Sequence, residues 1–123
     1  MREILFRGKA YNGEWEYGVP VFSGLNNELA FMKQMHSYDH QVIPETVGQY
    51  TGLTDKNGKK IFEGDICQHR SNYSGDFVIS IVTYTDGQFL SMADNNSGFN
   101  LSDKLEIIGN IHDNLELLKG GEG

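Results

Sequence analysis

Two stretches of this 123-residue chain hold side chains whose types and spacing could do chemistry. The first is Asp55-Lys56-Asn57-Gly58, followed closely by Glu63 and Asp65. Oxygen donors on a tight loop suit a hard cation such as calcium. An EF-hand, however, needs glycine at its sixth loop position and a bidentate acid at its twelfth. With Gly58 as the sixth, Leu53 becomes the first and Gly64 the twelfth, so the register fails. A metal-free turn is the expectation, with Glu63 and Asp65 leaving a weak cation site open. The second stretch pairs His36-Ser37-Tyr38-Asp39-His40 with Cys67-Gln68-His69. Alternate residues of a strand share a face, so Cys67 and His69 could approach one ion, and four ligands drawn from the two places would suit structural zinc. Nothing in the spacing shows that the places meet. A histidine-bearing loop and a half-buried strand cysteine form the competing expectation.

Catalysis finds little support in the same inventory. Cys67 and a histidine would be a nucleophile and its base, but no helix N-terminus or oxyanion-forming glycine turn is recognisable beside Cys67. Glu63 and Asp65 could divide acid and base work only if burial drew their pKa values apart. Neither G-x-x-x-x-G-K-[ST] nor G-x-G-x-x-G occurs, so no glycine loop cradles phosphate. No catalytic residue, metal ligand or cofactor is assigned, and the chain is expected not to be an enzyme. Lys56, Lys59 and Lys60 form a basic knob, and Tyr50, Tyr73 and Tyr84 offer rings on which bases could stack, which keeps nucleic-acid binding as an alternative. Charge opposes it. The chain has 17 acidic and 10 basic side chains, a net charge of −7, and residues 71–123 alone carry −6. Affinity for a phosphate backbone depends on cations that displace counterions, and the arginines are only Arg2, Arg7 and Arg70. A solvated turn accounts for the lysines, and acidic loops keep a small protein in solution.

The elements that must position these groups are mostly strands. A chain of this length falls within the usual span of one domain, with an apolar share large enough to fold. Asn12-Gly13 joins segments containing Ile4, Phe6, Ala10 and Trp15, Tyr17, Val19, Val21; Asn-Gly accepts the positive φ angles of a type I′ turn, so a hairpin is expected from Glu3 to Val21. Leu29 to Met35 reads as helix or strand, with strand favoured, between loops at Asn26-Asn27 and His36 to His40. Phe77 to Tyr84 is the strongest strand, a central one, closed by Asp86-Gly87 so that Gln88 to Met92 pairs back on it. Leu105 to Ile111 is a further strand with a bend at Gly109. Asp113 to Leu118 could make one helical turn, capped by Asp113 with Leu115 and Leu118 facing inward. Cys67 is the only cysteine, so no intramolecular disulfide forms. The apolar runs are far shorter than the roughly 20 residues of a membrane span. Met1 to Arg7 lacks the features of a signal peptide, and a cytoplasmic location is expected.

Val47-Gly48-Gln49-Tyr50-Thr51-Gly52-Leu53 leads through the Asp55 turn to Ile61-Phe62-Glu63-Gly64-Asp65-Ile66. Asp55 can close an Asx-turn on its own backbone, and Asn57 and Gly58 tolerate left-handed angles. This segment resembles the pattern V-G-Q-Y-T-G-L-x-D-x-N-G-x-x-I-y-E-G-D-I of the YopX family of phage and prophage proteins. The family's opening R-E-I-x-F-R is met by Arg2 to Arg7, and its closing I-G-N-I-x-x-N-x-x-L-L by Ile108, Gly109, Asn110, Ile111, Asn114, Leu117 and Leu118, with Leu115 where proline is frequent. The resemblance implies a mainly β chain with an SH3-like β-barrel core, about 47–118, behind an N-terminal hairpin region, about 1–46. It also implies a bacterial host cytoplasm, and no established reaction. Gly48, Gly52, Asn57, Gly58, Gly64, Gly109 and Asn110 are expected to shape turns. The leading function is a protein-interaction module for a host or phage protein, with Tyr50, Asp55, Glu63 and Asp65 as its surface. Free strand edges also permit homo-oligomers.

Overall fold

The computed structural model describes residues 4–34, 38–71, 73–93 and 98–122. These residues are mainly β, in antiparallel strands with two short 3-10 segments and no α-helix among them. The chain divides into two compact units, Met1–Tyr50 and Thr51–Gly123.

The first unit comprises β1 (Phe6–Lys9), β2 (Trp15–Ser23), β3 (Leu29–Lys33), β4 (His40–Val42), a 3-10 turn at Pro44–Thr46 and the start of β5 (Gly48–Thr54), in the order β4-β3-β2-β1-β5. The expected hairpin is present, and its turn differs from expectation. Ala10 N donates to Glu14 O and Gly13 N to Ala10 O, and Gly13 alone takes a positive φ, 89°. That is a type I turn followed by a left-handed glycine, which accommodates a three-residue loop. Strand is also what forms at Leu29–Lys33, whereas His40, expected in a loop, begins β4. Met35 and His36 lie outside the described residues. The core is Ala30, Met32 and Val42, with Phe6 and Val47 packed against it. Gly8 allows the close approach this needs, since a Cβ there would lie 2.9 Å from Val42 Cγ2.

In the second unit β5 runs on beside β6 (Lys60–Phe62). The other five strands, β7 (Asp65–Arg70), β8 (Phe77–Thr85), β9 (Gln88–Met92), β10 (Gly98–Asn100) and β11 (Glu106–Asn110), take the order β10-β9-β8-β7-β11. β8 is central, as its run of β-branched and aromatic residues predicts. The type I′ turn occurs here, at Asp86 (φ 52°) and Gly87 (φ 82°) between the paired Thr85 and Gln88. The bend at Gly109 is a β-bulge between Ile107 and Gly109. Below it, Asn110 Oδ1 accepts from His112 N and Asp113 N, while Asn114 Oδ1 accepts from Asn110 N. The two asparagines of the closing motif are therefore turn clamps. A 3-10 helix spans Leu115–Glu122. Leu115 and Leu118 are exposed, not inward, because this segment does not lay an apolar stripe on the core.

The expected SH3-like barrel does not close among the described residues. The sheet curls strongly all the same. His69 on β7 and Phe99 on β10 meet with ring centroids 4.8 Å apart, although β8 and β9 lie between their strands. At a strand spacing of about 4.8 Å, a flat sheet would hold those backbones roughly 14 Å apart. The ladder ends on one side at β10, only three residues long, and on the other at β11, leaving a curled open sheet. Cys67 and Val82 of its concave face form a core with Ile61 of β6 and with Leu105, which precedes β11, and Leu101 and Ile107 pack beside them.

Candidate functional site

The Asp55 loop repeats the turn found at Gly13. Asp55 N donates to Lys59 O, Gly58 N to Asp55 O, and Gly58 takes φ 81°. The side chain then stitches the loop from inside. Its Oδ1 accepts from Asn57 N (2.8 Å) and Lys59 N (2.9 Å), and its Oδ2 accepts from Ile107 N of β11 (3.0 Å), 52 residues away. Lys56 N reinforces the link by donating to Leu105 O. Burial works to raise the Asp55 pKa, but the N–H groups of Ile107, Lys59 and Asn57, with the charge of Lys59, outweigh it and hold the carboxyl below its ordinary value. At 3% exposure this carboxylate is a buried staple between the β5–β6 turn and β11.

Its neighbours are equally structural. Asp65 is 2% exposed and accepts from Phe62 N at 2.7 Å across the Glu63-Gly64 turn. Gly64 N donates to Val82 O and Gly64 O accepts from Ile111 N, fixing that turn from both sides. Tyr50 is buried in the first unit. Of the four residues expected to form an interaction surface, only Glu63 is more than marginally exposed, so Tyr50, Asp55 and Asp65 are corrected to internal roles. Each is spent on packing or backbone donors that water would otherwise have to satisfy.

Cys67 sits at the centre of the second core, fully buried. Burial, then the charges of Asp65 and Asp55, push its thiol up to about 12. A thiol so placed is neither a nucleophile nor a ready metal ligand. The folded chain is expected to resist Ellman's reagent at pH 8 and to yield one thiol only after denaturation; fast reaction of the folded chain would contradict this placement. Among the described residues no three His, Cys, Asp or Glu side chains converge to hold a metal. His36 lies outside them, and His40 pairs with Glu16 at 3.8 Å. The basic knob is partly engaged, since Lys56 Nζ lies 3.6 Å from Glu106 Oε1, which also accepts from Gln68. The three tyrosines form no common platform: Tyr50 is buried, Tyr73 is fully exposed, and Tyr84 packs edge-on against Phe89.

Two exposed features were not singled out by sequence. One is the outer face of β2 and β3. Tyr17, Val19 and Val21 alternate along β2 and are 46, 51 and 43% exposed. Cross-strand register carries this face on, with Phe31 opposite Val21, Leu29 opposite Ser23 and Lys33 opposite Val19. Towards β1 it meets Arg7, the partner of Tyr17, whose guanidinium lies 4.6 Å from the Trp15 ring centroid. The period-two pattern in Trp15 to Val21 could have flagged this stripe, but it does not say which side of the strand is buried. The other feature is a groove of about 700 Å³ at one end of the concave sheet of the second unit, lined by His69, Arg70, Tyr73, Phe99, Lys104 and Leu105 among others. No helix among the described residues is long and apolar enough to cross a membrane.

A family model described as YopX protein matches residues 7–119, a span that contains the Asp55 staple, the Gly64 turn and the Asn110–Asn114 clamp. The chain belongs to the YopX family. Arg2 to Phe6 of the opening motif precede the matched span. The chain is similar to protein EF1440 from Enterococcus faecalis, known from a crystal structure, with 29% sequence identity and a TM-score of 0.62 over 96% of this chain and 99% of that one. No curated protein matches it. The signature from Val47 to Ile66 thus has a physical content in this YopX chain: it encodes two turns and the carboxylates that lock them.

Proposed function

We propose that this YopX-family chain is a small protein-interaction module of phage or prophage origin, acting in the cytoplasm of its bacterial host, and that a host or phage protein seats on the outer face of β2 and β3. The observation that carries this reading is the exposed alternation Tyr17, Val19, Val21, continued by Phe31 and Leu29 across the register. Contiguous apolar surface of this kind is unfavourable in water and marks interaction sites, where aromatic and branched side chains supply the buried centre. The surface charge leaves nucleic acid a poor partner. For the second unit the SH3-like description is supported by the β7 to β10 meander, the return of β11 beside β7 and the curl of the sheet.

The experiment is affinity capture with matched variants. Val19→Ser combined with Val21→Ser changes only exposed side chains, so thermal unfolding should shift by no more than about 0.5 kcal/mol per site. Proteins retained by the parent chain are expected to be lost from this variant and kept by Glu63→Ala. Equal retention by the parent and the double variant would sink the proposal.

A further inference from the structure

We infer that the groove at the end of the curled sheet in the second unit is a binding site for a small aromatic anion, a flat ring bearing a phosphate or carboxylate. This goes beyond the β2–β3 face and does not depend on it.

The site follows from the pleat. Cys67 and His69 point to one side of β7; their partners Ser80 and Val78 point to the same side of β8. Val82 lies on that side too, and it pairs with Ser91, which pairs in turn with Phe99 of β10. All these residues therefore share the concave face. Near Cys67 the face is filled by the core, but towards His69 and Val78 it opens into the groove, with Leu105 common to both. A volume of about 700 Å³ is in the range of small-ligand sites.

The lining sets the chemistry of the occupant. Lys104 borders the groove, and none of the described lining residues is acidic. Residues 71–123 otherwise carry eight acids against Lys104 and Lys119 alone, so the placement of Lys104 here is selective within an acidic region. Arg70 alternates with His69 and pairs with Phe77, so its guanidinium, which donates to Gly75 O at 2.6 Å and lies 4.7 Å from the Phe77 ring centroid, sits on the opposite face of the sheet. Lys104 is therefore the cation that meets a phosphate or carboxylate in the groove. His69 adds a buried Nδ1 that has no hydrogen-bond partner, an arrangement that a polar ligand would relieve. Phe99, edge-on to His69, and the fully exposed Tyr73 offer ring surfaces for the aromatic part.

The test is a 1H–15N NMR titration of the full chain with phenyl phosphate and with phenylacetate, alongside inorganic phosphate and phenol. At least one of the two aromatic anions is expected to give saturable shifts centred on residues 69–78 and 98–105, and the tighter of the two identifies the anionic group. Inorganic phosphate and phenol should each bind at least about tenfold more weakly, since each lacks half of the recognition. K104Q, at an exposed position, should weaken binding about tenfold and leave the spectrum otherwise intact, whereas R70Q, on the opposite face of the sheet, should leave the affinity unchanged. The proposal is overturned if neither aromatic anion gives saturable shifts below about 10 mM. Binding of phenol or inorganic phosphate as tight as that of the better aromatic anion overturns it too, as does unchanged affinity in K104Q.

Discussion

Asp55→Ala is expected to destabilise the second unit by about 3 to 5 kcal/mol, among the largest losses any single substitution in this chain would produce. The change strips the partner from three backbone N–H groups at once, those of Asn57, Lys59 and Ile107. An unsatisfied buried donor costs about 1 to 3 kcal/mol, less where the opened turn lets water in. Asp55→Asn separates hydrogen bonding from charge. One amide oxygen can still serve Asn57 and Lys59, but the amide NH2 then faces the N–H of Ile107, donor against donor, and a loss of about 2 kcal/mol is expected. The acid response gives a second readout. Because the folded carboxyl is held below its ordinary value, its contribution is present above the unfolded pKa of about 4 and is lost as pH falls through the lower folded value. In urea unfolding followed by far-UV circular dichroism, the gap between parent and Asp55→Asn should therefore narrow as pH falls below about 4. A gap that stays constant into acid would show that the Asp55 charge does not support the fold.

Gly18→Ala is the second large effect, and it falls on the first unit. Gly18 takes φ 156°, and a Cβ built on it would lie 2.2 Å from the carbonyl oxygen of Lys33. That oxygen belongs to the β3 backbone, so no rotamer change relieves the contact. β2 and β3 must separate locally, next to the Val19–Lys33 pair. A loss on the order of 3 kcal/mol is expected. Gly13→Ala is the control: its φ of 89° also disfavours a side chain, yet nothing lies within 4 Å of the added Cβ, so about 1 kcal/mol is expected. Trp15, the single tryptophan, reports on this unit. Its fluorescence midpoint in urea should fall much further for Gly18→Ala than for Gly13→Ala, and equal shifts would contradict the close approach of the two strands.

The local chemistry of the turns was legible in the residues themselves. Asn-Gly, Asp-Lys-Asn-Gly and Asp-Gly each announced a reversal, and the β-branched run from Phe77 to Tyr84 announced the central strand. What short-range pattern could not carry was the identity of long-range partners. Asp55 has the same sequence features whether its second oxygen faces solvent or the N–H of Ile107, and that choice decides between an exposed surface and a buried staple. Alternation in Trp15 to Val21 likewise shows two faces without naming the inner one. The inner side is set by Ala30, Met32 and Val42, which come from other strands. The groove was hidden for a related reason, since His69, Phe99 and Lys104 meet only because the sheet curls. Barrel closure depends on long-range strand pairing of the same kind, and among the described residues the ladder stays open between β10 and β11.

The most direct test of the interaction surface is hydroxyl-radical footprinting of the chain alone and again while held by its captured protein partner. The expected result is strong labelling of Tyr17, Val21 and Leu29 in the free chain and protection of those residues in the complex, with Glu63 and Tyr73 unchanged. Protection centred on Glu63 or Tyr73, with Tyr17 and Val21 labelled as before, would contradict the assignment of the β2–β3 face.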